Sequence, residues 1–287
     1  MATWDEQAPP ELAPPNWMQT IGGTLRLGLM ILTTLLAVTI FLIGRGLRAV
    51  LGRWVTFHFW VAKLWSRFGL WLAGLELKVT GTPIAKGSLV ANHSSWLDIL
   101  TLRSTRLIYF VSKAEVANWP GVGFITRITG TIFIERRRSQ AKLQEALLRA
   151  RMADNQLLCF FPEGTSTDGL RILPFKSSLF SAFYEDGSGT DILIQPVTVR
   201  YVLAQGSDLP ATFYGWWGDM GFEASIWNVV TRSRGGKAEV IFHDPIRSAD
   251  VPDRKRLAEI CEHMVTVGMD TGAKAPPFLA NQSGEVA

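Results

Sequence analysis

The stretch from Leu89 to Leu100, LVANHSSWLDIL, decides how this chain is read. An apolar strand ends at Asn92, His93 stands at the turn, and Asp98 follows within about one helical turn. That spacing lets the carboxylate fold back onto the imidazole. A carboxylate on one ring nitrogen fixes the tautomer and leaves the other nitrogen to take a proton from a hydroxyl. The pair therefore reads as a base poised to activate an alcohol. Alone it is a weak signal, because a turn histidine beside a solvated aspartate has the same spacing.

A second turn of the same kind, FFPEGT at 160–165, also closes an apolar strand. Pro162 and Gly164 mark a sharp bend that holds Glu163 at the strand's carboxyl end, where α/β sheets bind ligands. Two such turns on one sheet edge make a site. Between them TIFIER, 131–136, runs into Arg136, Arg137 and Arg138. A guanidinium fork suits phosphate or carboxylate, although a triple-Arg run is more often a solvated face. Lys113 and Lys176 are further candidates for contacts to a headgroup or donor, against surface solvation.

Around these turns the pattern alternates strand and helix, which predicts an α/β domain with one mixed sheet and helices on its faces. Strands are expected at 75–79, 88–91, 107–111, 131–134, 156–161, 192–200 and 238–242. Helices are expected at 121–127, 139–154, 176–184 and 252–267. The ends, MATWDEQAPPELAPP and AKAPPFLANQSGEVA, read as loosely ordered.

Of 287 residues, 47% are hydrophobic and 19% charged, and the apolar surplus lies before residue 80. The run LGLMILTTLLAVTIFLIG, 27–44, carries no charge and as a helix would measure roughly 27 Å against a hydrocarbon core of roughly 30 Å. It is just long enough to span. Acidic residues precede it and Arg45, Arg48 and Arg53 follow, the reverse of a cleaved signal peptide. The aromatic stretch 54–75 is interrupted by Lys63 and Arg67, which predicts a helix lying at the interface. We therefore expect a membrane anchor over 1–74 and a catalytic domain over 75–287, on the cytosolic side by the positive-inside rule.

The basic balance, pI about 9.2, comes without zinc-ligand spacing or an RNA-binding signature, so nucleic acid is not an expected partner. Cys159, in the apolar run LLCFF, and Cys261 read as buried fillers rather than a disulfide. His58, His243 and His263 have no partner at useful spacing and are read as structural.

Over residues 75 to 245 the chain resembles the glycerolipid acyltransferases, typified by 1-acylglycerol-3-phosphate O-acyltransferase. NHSSWLD is similar to that family's His and Asp block, which implies His93 as base and Asp98 as its orienting partner. FIER is similar to the second block and implies that Arg136 contacts the acceptor headgroup. FPEGTS is similar to the third and implies acceptor binding by Glu163, Gly164 and Thr165; QPVTV, with Pro196, resembles the fourth. Where the family often has Arg after FPEGT this chain has Ser166, and where it often has Gly two residues after the lysine of PFK it has Ser178. Losing a guanidinium removes a bidentate contact to a phosphate monoester. FPEGTSTDG followed by YGWWGDM looks more like the bacterial branch that acylates lyso-ornithine and related aminolipids.

The resemblance implies an O-acyltransferase in the bacterial inner membrane. The expected partners are the bilayer, a lysolipid acceptor and an acyl carrier protein or coenzyme A thioester. No cofactor beyond that donor and no metal site is expected. Making phosphatidic acid from 1-acyl-sn-glycerol-3-phosphate is the alternative. A lipid hydrolase would need a nucleophile elbow, and no Gly-x-Ser-x-Gly pattern occurs. A non-catalytic scaffold would have no use for His93, Asp98 and Glu163 together.

Overall fold

The computed structural model describes residues 8–52, 54–135, 138–185, 188–189 and 191–278. It opens with helices α1 (Trp17–Leu51) and α2 (Phe57–Leu72). Strands β1 (Leu75–Thr80) and β2 (Gly87–Ala91), helix α3 (Leu97–Arg103) and β3 (Tyr109–Lys113) follow. Then come α4 (Val122–Ile128), β4 (Ile132–Ile134), α5 (Ala141–Ala153) and β5 (Leu157–Phe160). After a small hairpin, β6 (Tyr184–Glu185) with β7 (Ser188–Gly189), the long β8 (Leu193–Val202) enters the sheet. The chain closes with α6 (Phe222–Arg232), β9 (Gly236–Phe242), β10 (Ile246–Arg247) and α7 (Arg254–Thr271).

The main sheet runs β1-β9-β8-β2-β5-β3-β4, with β10 paired to β8. From β8 to β4 every pairing is parallel, whereas β9 lies antiparallel to β8. Every residue of β2 and β5 is buried, as strands covered on both faces must be. Alternation then sorts their side chains. Val90, Leu158 and Phe160 face one core layer, with Phe180, Phe183 and Leu257. Leu89, Ala91 and Cys159 face the other, with Leu102, Val197 and Val240.

All seven expected strands are present within a few residues of their predicted ends. The segment expected as a helix at 176–184 is a 3-10 turn, Ser177–Phe183. Its two largest buried rings, Phe180 and Phe183, are three apart, a spacing that 3.0 residues per turn keeps on one side. Helices α3 and α6 had no helical prediction. The first is only seven residues long, and the second carries Val229, Val230 and Thr231 in its last turn, whose β-branched side chains lower helix propensity.

The uncharged run at 27–44 is only the middle of α1, which extends to 35 residues. It begins earlier because Asn16 and Gln19 form a reciprocal capping box. Arginine, a good helix former, does not end it, and the guanidinium groups of Arg26, Arg45 and Arg48 each donate to a carbonyl. Arg26 donates to the carbonyls of Val230 and Ser233, Arg45 to that of Ile128, and Arg48 to that of Val55. Near its start α1 lies close on α6, where a Cβ on Gly23 would sit 2.3 Å from Thr231 Cγ2. Near its end Arg45 reaches α4. The opposite face is apolar and exposed, including Leu25, Leu32, Leu35 and Leu36.

Helix α2 is part of the core. Leu70, Leu72 and Ala73 are at most 3% exposed, and Leu70 and Ala73 pack with Leu97, Leu100 and Val229. Cutting the chain after residue 74 would therefore uncover that core as well as remove apolar surface.

Candidate active site

The parallel pairing of β2 with β5, Val90 opposite Phe160, brings the two turns read from the sequence to the same sheet edge. His93 stands two residues beyond β2 and Glu163 three beyond β5. Lys113 is the last residue of β3 on that edge. Arg136, the predicted headgroup contact, lies outside the described residues.

His93 Nδ1 is 2.7 Å from Asp98 Oδ2. The same oxygen accepts the backbone N–H groups of Ser94 and Ser95 at 2.8 and 2.9 Å. Asp98 is fully buried, and its Oδ1 accepts the Tyr201 hydroxyl at 2.7 Å. A carboxylate surrounded by donors stays an acceptor, so the His93 proton resides on Nδ1 and Nε2 carries the lone pair. Among the described residues Nε2 has no protein partner, and the His93 side chain is 19% exposed. One ring face stacks on Phe161, centroids 4.2 Å apart and planes 19° off parallel.

The loop is fixed from four sides. Asn92 exchanges two hydrogen bonds with the Val199 backbone, both 2.8 Å, tying the end of β2 to β8. Thr167 N–H donates to the His93 carbonyl, and Trp216 N–H to that of Ser94. Glu163 accepts the His93 N–H at 2.6 Å on Oε1 and the Leu173 N–H at 2.9 Å on Oε2.

Sequence reasoning expected Glu163 to bind the acceptor. Glu163 is instead 1% exposed, and its two oxygens accept the backbone N–H groups of His93 and Leu173. Burial pushes its pKa up to about 8, against the lowering effect of the two N–H donors. A carboxyl raised in the folded state favours folding below its ordinary value near 4.5, and that contribution is lost as pH rises through about 8. We expect the thermal midpoint to decline between those values and then level off. In Glu163→Gln this decline should be absent, which melting curves across the range will check; an unchanged decline would assign it to another group.

Gly164 has φ +71°, and a Cβ there would lie 2.6 Å from Lys176 Nζ. Only glycine lets that ammonium reach the Glu163 carbonyl, which it contacts at 2.8 Å. Thr165 is half-buried beside it. Arg171 pairs with the buried Asp168 at 3.0 Å. Cys159 and Cys261 are both buried, with thiol pKa values pushed up by desolvation. Among the described residues no group of three His, Cys, Asp or Glu side chains is arranged to hold a metal ion.

The sequence reading did not find Tyr201, Phe161, Asn92, Thr167 or Trp216. Phe161 adjoins the PEG turn and was within reach of it. Tyr201 is 103 residues from Asp98, and nothing in its local pattern points there.

The acyltransferase family profile matches residues 78–200, from β1 through most of β8, enclosing His93, Asp98 and Glu163. Over 263 residues the chain is 46% identical to the lyso-ornithine lipid O-acyltransferase of Rhodobacter capsulatus, a match that covers 91% of this chain and 93% of that protein. It is 32% identical over 216 residues to the lyso-ornithine lipid O-acyltransferase of Brucella abortus, covering 73% and 78%. The crystal structure of the 1-acyl-sn-glycerophosphate acyltransferase from Thermotoga maritima has the same fold, with TM-score 0.61 at 20% identity over 88% of this chain and 97% of that one. The chain belongs to the acyltransferase family and is an acyltransferase.

Proposed function

We propose that this enzyme moves a fatty acyl group from an acyl carrier protein or coenzyme A thioester to the hydroxyl of a lyso-ornithine-type aminolipid. The observation that carries the chemistry is the His93–Asp98 pair, with Nδ1 held by buried Asp98 and Nε2 without a protein partner among the described residues. Nε2 takes the acceptor's hydroxyl proton as that oxygen attacks the thioester carbonyl. The tetrahedral intermediate collapses by breaking the C–S bond, and the imidazolium returns the proton to the departing thiolate. Asp98 stays ionised and steadies the imidazolium.

Two considerations favour an aminolipid acceptor over a phosphate monoester. The names of the two relatives point that way. In addition, two described cations near Ser166 in sequence are engaged within the protein, Arg171 by Asp168 and Lys176 by the Glu163 carbonyl. The enzyme works at the cytosolic face of the bacterial inner membrane in this reading. There α1 lies along the domain surface, tied down through Arg26 and Arg45, with its exposed leucines in lipid and the aromatics of α2 at headgroup level.

The test sets lyso-ornithine lipid and lysophosphatidic acid side by side with one labelled donor, adding Ser166→Arg as a third arm. Wild type should yield ester and free thiol in equal amounts and use the aminolipid well. The arginine variant should gain about ten- to a hundredfold on lysophosphatidic acid, the value of one charge-assisted contact. Free fatty acid without ester would make the enzyme a hydrolase. Strong preference of the wild type for lysophosphatidic acid, with no gain in the variant, would overturn the acceptor.

A further inference from the structure

We propose that Tyr201 is a positioning residue of the transfer reaction, its hydroxyl setting the charge and orientation of Asp98 and, through it, the basicity of His93. The inference rests on the assignment of His93 as base. Tyr201 lies near the end of β8, the strand beside β2, and its hydroxyl donates to Asp98 Oδ1 at 2.7 Å. Asp98 Oδ2 is fully occupied by His93 and two backbone N–H groups. Tyr201 is the one side chain among the described residues that holds Oδ1.

A fully buried carboxylate whose second oxygen lacked a donor would carry a large desolvation penalty, so Tyr201 is no spectator there. The phenol is itself held in place. Thr101 Oγ1 lies 3.2 Å from the hydroxyl, and because the tyrosine proton is committed to Asp98, Thr101 is the donor of that pair. The Tyr201 ring packs against Tyr214 at 5.7 Å, and the Tyr214 hydroxyl meets Ser233. The chain Thr101–Tyr201–Asp98–His93 thus links the sheet edge and α3 to the reacting nitrogen.

The sign of the effect follows from electrostatics. The positive end of the Tyr201 O–H dipole offsets part of the Asp98 charge. Without it the His93–Asp98 pair binds a proton more tightly, whether that proton settles on the ring or the carboxyl. Protonation of the pair removes the base, so the acidic limb of the rate profile moves to higher pH.

The experiment is the pH profile of kcat/KM for Tyr201→Phe, beside wild type and Thr101→Val. We expect the acidic limb of Tyr201→Phe to rise by about half to one pH unit, less than the roughly one to two units that a hydrogen bond made directly to the titrating group would give, because the effect reaches His93 only through Asp98. The plateau kcat should fall about tenfold with the acceptor KM unchanged. Thr101→Val keeps the Tyr201–Asp98 bond but removes the donor behind the phenol, so its limb should move in the same direction by less than that of Tyr201→Phe. Should Tyr201→Phe fold poorly, 3-fluorotyrosine at position 201, a stronger donor, is expected to move the limb the other way, to lower pH. A limb that stays in place in both Tyr201→Phe and the fluorinated protein overturns the proposal, even if the melting temperature falls. Activity retained by His93→Ala would instead sink the assignment of the base itself.

Discussion

Replacing His93 with alanine is expected to lower turnover by about a hundred- to ten-thousandfold, the usual cost of losing a general base, while the protein stays folded. Folding should survive because the bonds that shape the loop run through the backbone. The His93 N–H to Glu163, its carbonyl to Thr167, and the two serine N–H groups on Asp98 all persist in the variant. What disappears is one stacked ring on Phe161 and one donor to Asp98. A melting curve establishes that the variant is folded, and ester formation with saturating donor measures the loss. If the purified variant kept more than about a tenth of the wild-type rate, well above that range, another group would have to take the proton.

Asp98→Asn should be nearly as damaging, with kcat falling by up to about ten-thousandfold, although the substitution is nearly isosteric. Asp98 receives four hydrogen bonds and donates none, so only the ionised carboxylate satisfies all of its partners. An asparagine offers one acceptor oxygen and one donor group. If its oxygen takes the two serine N–H groups, its nitrogen meets Tyr201 and the imidazolium loses its countercharge. If the amide turns over, its N–H groups face Nδ1, and the ring shifts to the tautomer with hydrogen on Nε2. Either way the lone pair that takes the substrate proton is lost or weakened. The double variant with His93→Ala should be no slower than the worse single one, because the two residues act as a unit. Multiplying losses in that double variant would show that Asp98 acts independently of His93.

The parts of this protein that were legible in its sequence are those whose information is local. Strand positions were legible because fully buried strands are short apolar runs bounded by turn residues, as in SLVANH and LLCFFPEG. The contact between His93 and Asp98 was legible for the same reason, since the two are five residues apart and a single turn joins them. Glu163 was found, but its backbone partners were not. A carboxylate in a turn looks alike whether it faces a ligand or the backbone of the neighbouring loop, and only the parallel register of β2 and β5 places the His93 N–H beside it. The anchor was visible as an uncharged run and underestimated in length. Loss of the uncharged pattern does not mark a helix end, because arginine is a good helix former and α1 carries Arg26, Arg45 and Arg48 within its length.

By itself, then, the sequence determined the class of fold, the apolar amino-terminal helix, and the spacing that lets Asp98 meet the His93 ring, because each is written in hydrophobic periodicity or in residues one turn apart. The tertiary structure alone decided that Glu163 accepts the His93 N–H, that the end of α2 joins the core, and that Tyr201 donates to Asp98. Each of these is a hydrogen bond or a packing contact between segments some 30 to 170 residues apart. Strand order and register set such contacts, and no local pattern encodes them.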